Sequence, residues 1–260
     1  MSADRKSEKR DLAPSEGKRL VSAKSNLAGR GLELASLLQQ QRNGLEPRKL
    51  ESEELILPVR RIEFPADRPM GRLFIRRWNN LVETKEGEWQ ELGEACGEFL
   101  IPAGMELMLD LAHAASADLS PLSTFSPNDL QRIGAANTQF DDQGLGCIQN
   151  LTGLIELWLM GTRISDEGLK FAQNMSGLRT LNLSGTYVTD TGLRYLRGLT
   201  NLAWLFLDGT RISDEGLEYL KDLRNLKVLI LSQTHVTEAG RARIKNALPG
   251  CQVSSLRIEL

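Results

Sequence analysis

Apolar and polar positions alternate in a pattern LxxLxL that returns every 24 residues through the second half of the chain. Alternation of this kind predicts a short β-strand whose leucines point into the core. In each unit a threonine follows the strand, and a glycine comes six positions after the threonine. The pattern is carried by Leu154, Leu157 and Leu159 and by their counterparts at the same interval, Leu178, Leu181, Leu183, Leu202, Leu205, Leu207, Leu226, Leu229 and Leu231.

The rest of each unit has the spacing of a helix. After Thr162, Ser165 or Asp166 is suited to cap a helix N-terminus, where acidic side chains also favour the positive end of the helix dipole. Apolar residues then recur three to four positions apart. The threonine hydroxyl is expected to satisfy backbone groups where the strand ends. One strand and one helix per unit predict an α/β solenoid, with parallel strands on the concave face and helices on the convex face.

A degenerate copy of the unit around Ile133 extends the array upstream. After the array, a helix over Glu238–Ala247 is expected to stop at Pro249, followed by a last strand at Cys251–Val253 that covers the edge. The five predicted units are 129–152, 153–176, 177–200, 201–224 and 225–248, with a C-terminal cap at 249–260.

The region before the units differs in composition and pattern. We predict a small, mainly β lead-in and N-terminal cap over residues 55–128, and a basic, disordered tail over residues 1–54 that contains one short helix at Gly31–Gln41. The strands predicted in the lead-in are Arg72–Trp78, Trp89–Leu92 with Glu98–Pro102, and Met105–Leu111.

The motif T-x-[IV]-[ST]-D-x-G-L, seen in the identical segments RISDEGL at 163–169 and 211–217, resembles the leucine-rich-repeat family. The subtype is similar to the repeats of F-box leucine-rich-repeat proteins and of bacterial relatives. The resemblance covers 129–248 and implies the fold, whereas function in this family depends on variable exposed side chains. It suggests a non-catalytic protein-interaction module or a substrate-recognition adaptor of a ubiquitin ligase, although no F-box is seen. A third alternative is a regulatory or effector protein acting through the lead-in.

The positions between the leucines are expected to face the concave surface, where a partner would bind. Aromatic side chains and methionine are enriched at interface centres, and exposed apolar patches commonly have partners. We therefore predict a protein-binding face anchored by Trp158, Trp204 and Phe206. The chain's own N-terminal region or a second copy of the protein could instead cover this face. The other predicted members of the face are Met160, Val228, Ile230, Asp208 and Glu156, and polar side chains follow on one rim at Arg163, Tyr187, Arg211 and His235.

Charge and composition add little to this picture. Residues 1–50 contain 11 Lys/Arg and 6 Asp/Glu, and the remaining residues contain 21 and 28. A basic tail can bind nucleic acid, but no RNA-binding motif accompanies it, so we expect no nucleic-acid partner. We also expect no cofactor, metal or catalytic set, and the recurring aspartates are interpreted as helix caps rather than calcium ligands. The unpaired cysteines, the absence of a secretory signal and the lack of a membrane-length apolar run favour a cytoplasmic location without membrane association.

Overall fold

The computed structural model describes residues 59–77 and 89–254. Between residues 59 and 111, the described part of the chain forms five strands, of which β1 and β4 make an antiparallel pair. β2 lies antiparallel to both β3 and β5. The predicted lead-in strands are found close to their expected bounds, and β1 is additional. The predicted tail lies outside the described residues. The five strands are β1 (Val59–Glu63), β2 (Gly71–Arg77), β3 (Gln90–Glu94), β4 (Glu98–Pro102) and β5 (Met105–Leu111).

The repeat units contribute a run of three-residue parallel strands. Each is centred on the second leucine of LxxLxL or its counterpart, which is fully buried, as at Leu157, Leu181 and Leu205. β5 pairs in parallel with β6, so the sheet continues without a break across the expected boundary between lead-in and repeats. Nine of the described strands form this sheet, in the order β11-β10-β9-β8-β7-β6-β5-β2-β3. The repeat strands are β6 (Arg132–Gly134), β7 (Glu156–Trp158), β8 (Thr180–Asn182), β9 (Trp204–Phe206) and β10 (Val228–Ile230), and β11 (Gln252–Ser254) closes the edge as predicted.

The connections on the other side of the sheet are helical but short. The last helix has its predicted bounds, whereas the fourth unit has only a 3-10 turn where an α-helix was expected. The core lies between the strands and these helices. The α-helices are α1 (Asp142–Cys147), α2 (Asp166–Ala172), α3 (Asp190–Leu193) and α4 (Glu238–Ala247), and 3-10 turns occur at Ala115–Ala117, Ser120–Thr124, Arg194–Leu196 and Gly216–Tyr219.

The repeating threonine performs the backbone role expected of it. The hydroxyl of Thr186 donates a hydrogen bond to the carbonyl of Leu183 at 2.6 Å, and the other units repeat the bond. Thr186 is buried, and a buried carbonyl without a partner would cost free energy. The threonine therefore allows the chain to leave the sheet and turn toward the helix.

The repeating aspartate has a different role from the helix cap expected of it. Ser165 and Thr189 are the N-caps of α2 and α3. The carboxylate of Asp166 instead reaches the next unit, where it accepts from the backbone N–H of Thr189 at 2.8 Å and from its hydroxyl at 2.6 Å. Three further units make the same pair of bonds, which we call the aspartate clamp. Its donors and acceptors are Ser165 to Asp142, Thr189 to Asp166, Ser213 to Asp190, and Thr237 to Asp214.

The repeating glycine makes room for the clamp. A Cβ on Gly192 would lie 2.3 Å from Oδ1 of Asp166, and one on Gly216 would lie 2.2 Å from Oδ1 of Asp190. These separations are far below van der Waals contact, so only glycine fits while the carboxylate holds its place. The motif S/T-D-x-G therefore encodes contacts between units as well as a helix start.

The turn after each strand needs a positive backbone φ. Gly161, Gly185 and Gly209 supply it, with φ between 64° and 67°. The last unit has Gln233 there, with φ of 54°. A side chain other than glycine in the left-handed region costs roughly 1–2 kcal/mol.

We expect Gln233→Gly to stabilise the protein by about 0.5–1 kcal/mol. Glycine relieves the left-handed backbone strain, and this gain exceeds the free energy lost because glycine makes the unfolded chain more flexible. Denaturant unfolding of the full chain measures the change. Gln173→Gly is the matched control, because Gln173 has φ of −56° and glycine relieves nothing there. A loss of stability in Gln233→Gly as large as in the control would contradict the explanation.

Candidate functional site

The face of the sheet opposite the helices carries the side chains between the leucines. Strand pairing aligns them into rows, because Glu156, Thr180, Trp204 and Val228 are successive partners across β7 to β10. We call this surface the sheet face. The adjacent row along the same strands consists of Trp158, Asn182, Phe206 and Ile230.

The apolar residues of the sheet face bury one another. Phe206, Val228 and Ile230 are 5%, 6% and 1% exposed and form one cluster, against which Trp158 packs. The rings of Trp158 and Phe206 lie 5.8 Å apart between centroids, across the intervening Asn182. The expectation of solvated side chains was wrong for Phe206, Val228 and Ile230, because strands about 4.8 Å apart bring large side chains on neighbouring strands into contact.

Among the described residues of this surface, Trp204 is the large apolar side chain that is exposed, whereas Trp158 and Met160 are partly buried. It is 40% exposed, although its strand neighbours Thr180 and Val228 are buried. Its indole therefore stands beside a packed apolar cluster and in contact with solvent. Met160 lies further along the same face and is partly buried.

The other half of the sheet face is a network of charges from four strands. Oε2 of Glu106 lies 2.5 Å from Nε of Arg76 and 3.9 Å from Nε of Arg132. Arg132 also reaches Oε2 of Glu156 at 2.8 Å, and that oxygen accepts from the indole N–H of Trp158 at 3.3 Å. The charged side chains are between 7% and 17% exposed, so solvent screens the network weakly.

Trp89 stacks on the same network. The guanidinium carbons of Arg76 and Arg132 lie 4.5 and 5.0 Å from its ring centroid. Cation–π contacts add to the ion pairs and order both arginines. Sequence reasoning included Glu156 but missed Arg76, Glu106 and Arg132, which belong to β2, β5 and β6.

Asp208 closes the C-terminal part of the sheet face. Its Oδ2 accepts from the hydroxyl of Ser184 at 2.9 Å. The carboxylate borders a depression at the ends of the strands, beyond Phe206.

The predicted rim forms one backbone row. Arg163, Tyr187, Arg211 and His235 each donate a backbone hydrogen bond to the preceding unit, between 2.8 and 3.2 Å. All four are exposed, Tyr187 at 58%. Their role in binding stays a prediction.

Two features of the described residues bear on metal binding and on nucleophilic chemistry. Within residues 59–77 and 89–254, no three His, Cys, Asp or Glu side chains are grouped to hold a metal ion. Burial raises the pKa of the Cys251 thiol to about 11, which keeps it protonated and poorly nucleophilic at neutral pH. In this part of the chain, no helix has the length and apolar character to cross a bilayer.

Comparison with known protein families finds one matching segment in the repeat array. The family model for a leucine-rich repeat matches residues 176–196, a segment that contains β8, α3 and the 3-10 turn that follows α3. None of the curated proteins matches the chain significantly.

Among the solved structures that match are three that are each similar over about half of the chain. Internalin C2 of Listeria monocytogenes is 23% identical, with a TM-score of 0.45, and the match covers 52% of this chain and 54% of that one. A second internalin of the same organism is 24% identical, with a TM-score of 0.39 and coverage of 55% and 45%. A leucine-rich-repeat protein of Leptospira interrogans is 17% identical, with a TM-score of 0.30 and coverage of 52% and 45%. The chain thus spans about half the length of these structures.

Proposed function

We propose that this chain, a leucine-rich-repeat protein, is a non-catalytic module that binds a protein partner on the sheet face of its C-terminal units. The observation that carries the proposal is the position of Trp204, which is 40% exposed beside the buried cluster of Phe206, Val228 and Ile230. Tryptophan is the residue most enriched among side chains that dominate binding energy.

The packing around Trp204 favours a preorganised site. The cluster beneath the partner is already buried, so binding orders few further side chains and loses little conformational entropy. Phe206 then supports the surface and Trp204 makes the contact. This refines the anchor set of Trp158, Trp204 and Phe206, in which all three were expected to touch the partner.

We expect Trp204→Ala to weaken partner binding by about 30-fold or more, the effect of removing a central aromatic anchor. The measurement uses the full chain, a displayed library of random dodecapeptides and titration of the selected peptides. Since Trp204 is accessible, the variant should keep the circular dichroism and unfolding midpoint of the wild type.

Phe171→Ala is the matched control, because Phe171 is 36% exposed and belongs to α2 on the opposite side of the sheet. It should leave peptide affinity unchanged. If no peptide is selected, or if every selected peptide binds Trp204→Ala as well as wild type, the proposal is wrong. Self-association abolished by Trp204→Ala would assign the face to a second copy instead.

Point variants are better suited to this test than truncation. Removing residues 1–127 would also remove β5, which pairs with β6 through Met108, Leu109 and Asp110. The truncation would expose the edge of β6 and part of the core, so a loss of binding could not be distinguished from a loss of the fold. None of the matches reported above is to an F-box, and nothing in the described residues favours the adaptor alternative.

A further inference from the structure

A depression beyond the apolar cluster is lined by main-chain and side-chain groups from four units. It has a volume of about 150 Å³. It begins where Asp208 follows β9, two residues after Phe206, so it is continuous with the proposed binding face. Its lining consists of Met160, Ser184, Gly185, Asp208, Ser232 and Gln233.

Asp208 is the charged residue of this half of the sheet face. The nine face positions on and just after β8, β9 and β10 hold one charged side chain, and the rest are neutral. They are Thr180, Asn182, Ser184, Trp204, Phe206, Asp208, Val228, Ile230 and Ser232.

The negative charge of Asp208 is incompletely compensated by its surroundings. A carboxylate offers about four acceptor sites. Oδ2 takes one neutral hydroxyl, that of Ser184, at 2.9 Å. Oδ1 is shielded from solvent and has no hydrogen-bond partner. A cation in the depression, against Oδ2, would supply the missing stabilisation.

We propose that the depression binds the ammonium group of a lysine side chain from the protein partner. This inference rests on the proposed function and adds the chemistry of the partner. With Oδ1 shielded, the carboxylate presents one oxygen, which suits the point charge of lysine better than the two-pronged guanidinium of arginine. The hydroxyl of Ser184 keeps acceptor capacity for a second ammonium proton.

The remaining lining fits the stem of the same side chain. Met160 gives the depression an apolar wall, and lysine methylenes pack on such surfaces while the charged end finds its partner. Trp204 and Asp208 are four positions apart, and because β9 ends at Phe206 and Asp208 lies in the following turn, their separation along the chain is at most about 13 Å. The partner segment therefore carries a lysine about four residues from an apolar side chain that meets Trp204, if that segment is extended.

The test repeats the peptide selection on the full chain and combines a substitution in the selected peptide with a substitution in this protein. Selected peptides should be enriched in lysine, and changing that lysine to methionine should weaken binding to the wild type by about tenfold or more. The same peptide change should cost less than about threefold on Asp208→Asn, because the charge it met is gone. Asparagine keeps the size of Asp208 and can still accept from Ser184.

Asp222→Asn is the control, because Asp222 is exposed and lies outside the sheet face. It should behave as the wild type, and unfolding of both variants verifies that they fold. In peptides that need Trp204, changing lysine to methionine could weaken binding equally to the wild type and to Asp208→Asn. That result would overturn the lysine site and leave the proposed function intact. Peptides that bind equally well when arginine replaces lysine would overturn the preference for an ammonium group. Absence of any Trp204-dependent peptide would overturn both.

Discussion

Gly192→Ala is expected to destabilise the protein by about 3 kcal/mol, because the new methyl group and the carboxylate of Asp166 cannot share one space. The Cβ would lie 2.3 Å from Oδ1. Either α3 shifts away from α2, or the carboxylate rotates and gives up both bonds to Thr189. Denaturant unfolding of the full chain measures the loss.

A double-mutant cycle separates this steric cause from a general intolerance of alanine. In Asp166→Ala the carboxylate is absent, so the added cost of Gly192→Ala should fall by about 2 kcal/mol. Of the three atoms nearest to this Cβ, the one outside Asp166 is Cδ1 of Leu169 at 3.1 Å, the movable end of a side chain.

Gly198→Ala is the control for backbone effects. Its Cβ would meet the carbonyl oxygen of Gln173 at 3.5 Å, an ordinary contact. No loss of stability is expected there, or a small gain from the stiffer unfolded chain. If the two alanine variants lose equal stability, or if the cycle with Asp166→Ala is additive, the clamp is not what requires glycine.

The aspartates of the clamp were singled out from the sequence, but their role was predicted incorrectly, and the geometry of the clamp explains why. Spacing places Asp166 at the start of a helix, and an acidic residue there has an adequate local explanation. The bonds to Thr189 join residues 23 positions apart, and they depend on how closely two units stack. Periodicity gives the stacking order of the units and the inward side of each strand, but not the direction of a polar side chain at the start of a helix.

The sheet face shows the same division between what pattern can and cannot predict. Alternation placed Trp158, Phe206 and Ile230 on one surface, and the strands are in that register. Burial of Phe206 depends on the rotamers of its neighbours and on the spacing between rows, which a pattern of letters does not contain. For this reason the predicted exposure failed for Phe206 and held for Trp204.

Glu106 of the charge network was missed because its strand, β5, lies before the first predicted unit, whereas Arg132 lies within that unit. Leu109 and Leu111 precede Ile133 and Ala135 by one repeat length, so β5 is in phase with the units after it. Extending the register by one strand would have placed Glu106 on the sheet face, two positions from the residue paired with Arg132. The antiparallel partner β2, which brings Arg76, has no such periodic signal.

Glu106→Ala is expected to lower the free energy of unfolding by about 3 kcal/mol. This is the lower end of the range for breaking a buried ion pair, because the side chains keep some contact with solvent. The carboxylate lies between Arg76 and Arg132, whose side chains are 14% and 13% exposed. Removing it leaves two guanidiniums near each other, with the carboxylate of Glu156 beside one of them. Thermal and denaturant unfolding of the full chain measure the loss.

Two variants distinguish an uncompensated charge from simple loss of contact. Arg76→Met combined with Glu106→Leu removes opposite charges and keeps apolar volume, so it should recover much of the loss of Glu106→Ala. Glu91→Ala removes an exposed pair, with side chains of Arg72 and Glu91 that are 62% and 47% exposed, and should cost under about 1 kcal/mol. A Glu106→Ala loss as small as that of Glu91→Ala would mean that water compensates the arginines. The charged half of the sheet face would then be open to a partner, whereas a large loss with rescue by the apolar pair assigns it to stability and leaves binding to the half around Trp204.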